Sequence, residues 1–235
     1  MFGWNDLPSE AIQDWIRESF VWSMGEGILR PDTPLVLPTA EFFPARKGVS
    51  DEEKIKGVVE DLQRILRLED RQIEVRPREV LPDELRHQYG ALSEIGGTWM
   101  ADENSSVITY DPTLIRQPLA LISVLAHEMM HERLSWRATD MPGGDEAEEL
   151  STDLHCFTAG LGVIQMAGAE QAGWQGYMRQ SSRAYALALF LAVREIDPTA
   201  AEPALSSRTH RLLRRAVKAV ARQDQHVAQL RAKMI

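Results

Sequence analysis

The spacing of apolar residues in the first third of the chain predicts two helices separated by an extended segment. Apolar side chains recur every three to four positions over residues 9–25, which is the period of an amphipathic helix. Four prolines within residues 31–44 exclude a helix there, so we expect an extended arm laid over an apolar surface. Ser50, with Glu53 three positions later, is typical of a capped helix start, and the apolar stripe behind it runs to about Leu68.

A different pattern follows, in which apolar and polar residues alternate. This alternation is typical of a half-buried strand, and it occurs over residues 72–76; residues 97–100 and 107–110 are also predicted to be strands. The last two stretches flank the turn-rich residues 102–106, so they are predicted to form a hairpin. We therefore expect a small mixed β-sheet.

Beyond Pro112 the strand pattern ends, and the rest of the chain is predicted to be helical. Pro118 suits the first turn of a helix over Leu119–Trp136. Further helices are expected at about Asp145–Met166, Gln171–Glu195 and Ala204–Lys233. The predicted fold class is α+β, as a single domain of residues 1–235 with two lobes that do not fold independently. An α/β lobe with an edge strand covers residues 1–117, and a mainly helical lobe covers residues 118–235.

Length and charge limit the classes of function. A chain of 235 residues can bury one large core, and a net charge of −9 argues against general affinity for nucleic acid. The segment from Arg208 onward is the exception, because eight basic residues there stand against Asp224 alone. This basic terminal helix could contact an acidic partner or nucleic acid, or it could be a solvated helix face without a partner. The absence of interleaved aromatic residues favours the solvated face.

The chain is expected to be cytoplasmic and to have no membrane span. Its apolar stretches are shorter than the roughly 20 residues that cross a bilayer, and the first residues show no secretory pattern. A single cysteine, Cys156, excludes an intrachain disulfide and a multi-cysteine zinc site. Any metal would therefore depend on histidine and carboxylate ligands.

The sequence His127-Glu128-Met129-Met130-His131 carries the strongest chemical signal. Two histidines four positions apart lie on one face of a helix, so both imidazoles can reach a single zinc ion. The carboxylate of Glu128 would lie beside that ion and could take a proton from a bound water molecule. We predict His127 and His131 as metal ligands and Glu128 as the general base.

A catalytic zinc ion needs a third protein ligand, and the next predicted helix offers candidates. Glu149 and Asp153 are four positions apart, so Glu149 could bind the ion while Asp153 accepts a hydrogen bond from a ligand histidine. Acidic residues also favour a helix start for electrostatic reasons alone. The alternatives to Glu149 as the ligand are Glu146, Glu148 and Asp153.

The His-Glu-x-x-His sequence followed by Glu-x-x-x-Asp resembles the gluzincin branch of the zincin-fold metallopeptidases, which includes thermolysin-like enzymes. The resemblance covers about residues 97–165. It implies a zincin-like fold whose edge strand precedes the zinc helix, with one Zn²⁺ per chain. It also implies His127, His131 and Glu149 as zinc ligands, Glu128 as general base, and Asp153 as the residue that orients His127.

The chain lacks the pattern of one other zincin branch and departs from thermolysin-like enzymes at one position. The metzincin pattern fails, because Leu134 and Arg137 occupy the positions where it requires glycine and histidine. Thermolysin-like enzymes have asparagine before the ligand glutamate, where this chain has Glu148.

The remaining site residues are predicted by position or by residue type. If residues 97–101 form the edge strand of a cleft, an extended peptide could pair with it, and Trp99 or Met100 would line a side-chain pocket. In the alternative interpretation this is one arm of a hairpin, and Trp99 is simply buried. Candidate donors to the oxyanion are Tyr177, Tyr185 and His210.

The sequence thus predicts a zinc-dependent hydrolase, specifically a metallopeptidase that acts on a peptide or protein substrate. The alternative is a regulatory protein that retains a zincin core and binds a peptide or protein partner without cleaving it. Glu128 favours the enzyme, since binding alone has no use for a base at that position.

Overall fold

The computed structural model describes most of the chain, namely residues 7–78, 97–101, 105–135, 140–174 and 176–234. Of the positions used above, residues 102–104 of the predicted turn, Trp136 and Arg137 lie outside these ranges. Within the described residues the chain is a mixed α+β structure with a three-stranded sheet and mostly helical content. Its α-helices are α1 (Glu10–Gly25), α2 (Asp51–Leu66), α3 (Pro118–Leu134), α4 (Glu148–Cys156), α5 (Gly162–Gln171), α6 (Gln180–Val193), α7 (Ser207–Val220) and α8 (Asp224–Lys233).

The start of α2 follows the predicted capping pattern. The Ser50 hydroxyl accepts a hydrogen bond from the backbone N–H of Glu53, and the Glu53 carboxylate accepts one from the backbone N–H of Ser50 at 2.8 Å. Two amide groups that lack helical partners are thereby satisfied. The helix ends at Leu66, two residues earlier than predicted, because Arg67 adopts a left-handed conformation.

The sheet confirms the predicted hairpin and the mixed strand directions. It consists of β1 (Gln72–Pro77), β2 (Gly97–Ala101) and β3 (Ser105–Tyr110), in the order β1-β3-β2. The central strand β3 pairs in parallel with β1 and antiparallel with β2, so β2 is an edge strand of the described sheet. Ile108 and Tyr110 are buried against the helices.

The proline-rich segment of residues 31–44 lies against the break between helices α4 and α5. Val36 is fully buried, and its backbone N–H donates to the carbonyl oxygen of Gly160 at 2.9 Å. Gly160 has a φ of 88°, and a Cβ there would lie 2.0 Å from the carbonyl oxygen of Pro34. The predicted continuous helix over residues 145–166 is therefore wrong: a left-handed glycine separates α4 from α5, because the arm passes too close for any side chain.

Two further helix predictions were wrong in their extent. The helix expected from Gln171 begins only at Gln180, after Gly173 and Gly176, which both have positive φ values. The helix expected over residues 204–233 is divided into α7 and α8. Gln223, in the break, accepts a hydrogen bond from the Tyr185 hydroxyl, and this contact fixes the chain between the two helices.

Helix α3 lies at the centre of the molecule. It packs against α5 and α4 on one side and against β2, β3 and α2 on the other, and residues such as Leu125 and Met129 are fully buried. The helix α1 packs with the C-terminal helices, so the apolar clusters do not follow the chain boundary at residue 117. Among the helices of the described residues, none combines the length and the apolar character that crossing a membrane requires.

Candidate metal site

Three potential metal ligands converge where α3 faces α4. His127 and His131 project from α3 and Glu149 from the first turn of α4, and one ligand atom of each lies within 4.8 Å of the others. Oε2 of Glu149 lies 3.1 Å from Nε2 of His127 and 3.3 Å from Nε2 of His131. Two imidazole nitrogens and a carboxylate oxygen arranged in this way could hold a metal ion.

The local sequence explains how Glu149 returns to the histidines. Gly143 and Gly144 both have positive φ values, which lets the chain reverse tightly after α3. The indole N–H of Trp15 donates to the carbonyl oxygen of Pro142 at 2.8 Å and fixes this turn against α1. The chain reversal predicted between the two site helices is confirmed.

His127 is oriented by a buried carboxylate. Its Nδ1 lies 2.9 Å from Oδ1 of Asp153, which holds a proton on Nδ1 and directs Nε2 towards Glu149. The other oxygen, Oδ2, accepts hydrogen bonds from the backbone N–H groups of Tyr177 and Met178 and from Nη2 of Arg183 at 2.9 Å. Although burial opposes it, the hydrogen bond to His127 and the charge of Arg183 lower the pKa of Asp153.

His131 is oriented by a weaker partner. Its Nδ1 lies 3.4 Å from the hydroxyl of Thr152 and 3.6 Å from a carboxylate oxygen of Glu148. The Thr152 hydroxyl donates to the carbonyl of Glu148 at 2.9 Å, so it can accept the Nδ1 proton of His131. The Nε2 of this histidine thereby also faces Glu149.

An ion pair on the sheet side supports the ring of His131. Trp99 on β2 stacks on that ring, with the centroids 5.8 Å apart. Its indole N–H donates to Oε2 of the buried Glu132 at 2.9 Å, and Glu132 also binds Nε of Arg71 at 2.5 Å. Trp99 therefore links the edge strand β2 to α3 next to the candidate ligand His131.

Glu128 lies in a buried position beside the three ligand residues. Its side chain is only 7% exposed, and a Cβ at Gly97 would lie 2.9 Å from its Cγ, so β2 passes directly over it. Burial raises the pKa of Glu128, although the neighbouring imidazoles of His127 and His131 act in the opposite direction. A carboxyl group with a raised pKa at this place is suited to exchanging protons near neutral pH.

His127 and Glu149 shift each other's pKa values in opposite directions. Although burial opposes it, hydrogen bonds to Asp153 and Glu149 raise the pKa of His127 to about 10. Hydrogen bonds to His127 and His131 in turn lower the pKa of Glu149 well below its ordinary value. A metal ion bound here would compete with a proton for Nε2 of His127, since the ligand must be the neutral imidazole.

Of the three predicted oxyanion donors, only Tyr177 lies at these residues. Its ring stacks on that of His127 at 5.8 Å and is 52% exposed, and burial together with the charge of Glu149 raises its pKa. The buried Tyr185 instead contacts Arg17 and Gln223 through its hydroxyl. Nε2 of His210 pairs with Glu202 at 2.8 Å, so Tyr185 and His210 are both engaged elsewhere.

The two predicted substrate-pocket residues face opposite sides of the sheet. Trp99 points towards α3, as its contacts with His131 and Glu132 show. Side chains alternate along a strand, so Met100 projects from the other face, where it is 64% exposed. Only Trp99 therefore contacts the candidate metal site.

Sequence reasoning missed three supporting residues, Thr152, Glu132 and Arg183. Glu132 directly follows the second histidine, and Arg183 precedes an apolar run, so both are charges within largely buried helices. Buried charges need partners, and that expectation could have marked them. Their partners, however, come from distant parts of the chain, which a helical period does not reveal.

Comparison of the chain with protein-family models, with curated proteins and with solved structures gives no match. The functional argument therefore depends on the chemistry of the site itself. That chemistry consists of two imidazoles and a carboxylate at metal-binding distances, with a further carboxylate beside them.

Proposed function

We propose that this protein is a zinc-dependent hydrolase of zincin-like fold that cleaves peptide bonds. The observation that carries the proposal is the convergence of His127, His131 and Glu149, with the buried Glu128 next to them. Three protein ligands of the nitrogen and oxygen type, with room for one more, are the arrangement of a catalytic zinc site. The resemblance of the two sequence motifs to gluzincins supports the same interpretation.

The donor set fits zinc in its chemistry. Both histidines have an acceptor at Nδ1, Asp153 for one and Thr152 for the other, which leaves each Nε2 available as a ligand. Imidazole nitrogens combined with a carboxylate suit zinc better than the hard cations magnesium and calcium. A zinc ion bound by these three residues would lower the pKa of a water molecule and polarise a substrate carbonyl.

The residues of the chain would supply the proton transfers and the positioning. Glu128 takes a proton from the attacking water and passes it to the amine of the leaving product. Tyr177, whose raised pKa keeps its hydroxyl protonated, donates a hydrogen bond to the oxygen that becomes negative on the substrate carbonyl. The edge strand β2 pairs with an extended peptide and brings the bond to be cleaved to the site.

The test begins with the metal content of protein purified without chelator, measured by elemental analysis. We expect about one zinc per chain in the wild type and most of it lost in His131→Ala and in Glu149→Ala. The matched control is His210→Ala, which removes a histidine that pairs with Glu202 and should keep the metal. A folded wild-type protein that takes up no zinc when zinc is supplied would contradict the metal site.

A second variant separates catalysis from binding. Glu128→Gln should retain zinc and lose turnover of a peptide library by several orders of magnitude, because the base is replaced by a group that cannot accept the proton. Equal turnover in Glu128→Gln and wild type would contradict the role of Glu128. A zinc-loaded wild type without turnover on any peptide would instead support the non-catalytic peptide- or protein-binding alternative.

A further inference from the structure

The helix α7 presents a row of positive charges along one face. Basic residues follow one another at steps of three or four positions, so they lie one above the other on the helix surface. We call this set the basic stripe, and all of its members are exposed: Arg208, Arg211, Arg215 and Lys218 on α7, and Arg222 in the turn that directly follows it. The opposite side of the helix is the apolar one, with Leu213, Ala216 and Val220 buried in the core. The stripe is therefore free of any role in core packing.

The stripe is a concentrated positive region on an acidic protein. Residues 208–235 carry a net charge of +7, whereas the whole chain carries −9, so the preceding residues carry −16. Among the described residues, none forms an ion pair with Arg211, Lys218 or Arg222. No ion pair within the described part of the chain accounts for these three charges, and an array of like charges on one helix costs stability.

The position of the stripe connects it to the candidate metal site. The guanidinium of Arg208 lies 5.0 Å from the ring centroid of Trp174 and donates to Oε1 of Gln180 at 3.0 Å. Trp174 and Gln180 lie on either side of Tyr177 in the chain, and Tyr177 stacks on His127. One end of the stripe is thus fixed to the segment that places Tyr177 at the metal ligands.

We propose that the basic stripe is a docking surface for an acidic segment of the polypeptide substrate. This inference depends on the proposed function, because it names the substrate class of the same site. From Arg208 to Lys218 the stripe extends about 15 Å along the helix, and with Arg222 just beyond the helix end it offers pairing partners to about five or six residues of extended chain. An acidic segment of that length, separate in sequence from the bond to be cleaved, would pair with the stripe. The adjoining part of the substrate chain would then enter the candidate metal site.

A polypeptide fits this surface better than nucleic acid or a membrane does. Stacking of unpaired bases needs exposed aromatic rings, and the ring of Trp174, which contacts the stripe, is already covered by Arg208. The remaining charge of −16 would repel a long polyanion. Helices that lie on a membrane insert apolar side chains, and the residues of the stripe itself are all charged.

The test measures binding without turnover. The Glu128→Gln protein is titrated into fluorescein-labelled hexaglutamate and hexaglutamine peptides, and fluorescence anisotropy reports binding. We expect hexaglutamate to bind and hexaglutamine not to bind, with binding lost at 1 M salt, where charges are screened beyond about 3 Å. Replacing Arg211, Lys218 and Arg222 by glutamine should weaken hexaglutamate binding by about tenfold, as expected for three surface ion pairs.

The matched control neutralises three exposed lysines elsewhere. Replacing Lys47, Lys54 and Lys56 by glutamine changes the net charge equally and should weaken binding less than twofold, because these lysines lie outside the stripe. Equal weakening in both triple variants, or none in the α7 variant, would overturn the proposal. So would tighter binding of a single-stranded oligonucleotide or of phosphatidylserine vesicles that the α7 substitutions abolish.

The experiments distinguish a wrong hydrolase proposal from a wrong assignment of the stripe as a docking surface. Glu149→Ala should lose zinc yet bind hexaglutamate as before, since Glu149 is not part of the stripe. Peptide binding that depends on α7 in a wild-type protein that takes up no zinc when zinc is supplied would contradict the hydrolase and leave the docking surface in place. Zinc-dependent turnover with no dependence on α7 would contradict the docking surface alone.

Discussion

Two buried carboxylate–arginine pairs flank the candidate metal site, one beside each histidine. Beside His127, Asp153 binds Arg183 at 2.9 Å, and the arginine side chain is 2% exposed. On the side of His131, Glu132 binds Arg71 at 2.5 Å, and that arginine is 19% exposed. The first pair lies entirely among the C-terminal helices, whereas the second connects α3 to the residue before β1.

The two ion pairs differ in how they contact the neighbouring histidine. Asp153 is hydrogen bonded to Nδ1 of His127, so it sets both the position of the proton and the orientation of the ring. Glu132 influences His131 only through the ring of Trp99, which it holds by a single hydrogen bond. Similar ion pairs therefore have different effects on the site. The first orients a candidate ligand, and the second holds Trp99 on strand β2.

The largest effect is expected from Asp153→Ala. The substitution leaves the guanidinium of Arg183 buried without its carboxylate, which costs about 3–5 kcal/mol of unfolding free energy. It also removes the acceptor from His127, and metal affinity should fall about 10–100-fold. Urea unfolding and competition with a zinc chelator measure the two effects.

The double variant Asp153→Leu with Arg183→Met is the control for the buried charge. Removing both partners should recover a large part of the lost stability, because no unpaired charge remains, while metal affinity stays low. Asp153→Ala protein that unfolds within about 1 kcal/mol of the wild type would show that Arg183 is hydrated, against its burial.

A smaller effect is expected from Glu132→Gln. The amide oxygen can still accept a hydrogen bond from Trp99, and the side chain of Arg71 is partly exposed, at 19%, so we expect a loss of about 1–2 kcal/mol. Zinc affinity should fall less than the roughly tenfold minimum expected for a group bonded directly to a ligand. A fall in zinc affinity as large as that of the Asp153 variants would abolish the distinction between the two pairs.

The sequence was sufficient for those parts of the site that depend on a local period. Histidines four positions apart on α3, and Glu149 and Asp153 four positions apart on α4, are brought together as the helical repeat requires. The antiparallel pairing of β2 with β3 likewise follows from the turn-rich residues 102–106 between two predicted strands. These features are set by neighbours within a few residues, so the sequence predicts them.

The features that sequence reasoning missed depend on contacts between distant segments. Gly160 interrupts the helices only because Pro34, far away in the chain, passes close to it. Gly176 similarly has no room for a side chain, because a Cβ there would meet the guanidinium of Arg183. No period along the sequence encodes such approaches, so the loop that positions Tyr177 could not be predicted.

The smallest effect is expected from Thr152→Val, which removes the hydroxyl acceptor of His131 at nearly constant volume. The contact is long, 3.4 Å, and neutral, and Glu148 lies 3.6 Å from the same nitrogen as a replacement acceptor. Zinc affinity should therefore fall about three- to tenfold, the value of one neutral hydrogen bond, and less than in the Asp153 variants. Thr152→Ser keeps the hydroxyl and should match the wild type in the same chelator competition. If Thr152→Val instead lost as much affinity as Asp153→Ala, the two histidines would be held equally firmly, and the asymmetry inferred from their partners would be wrong.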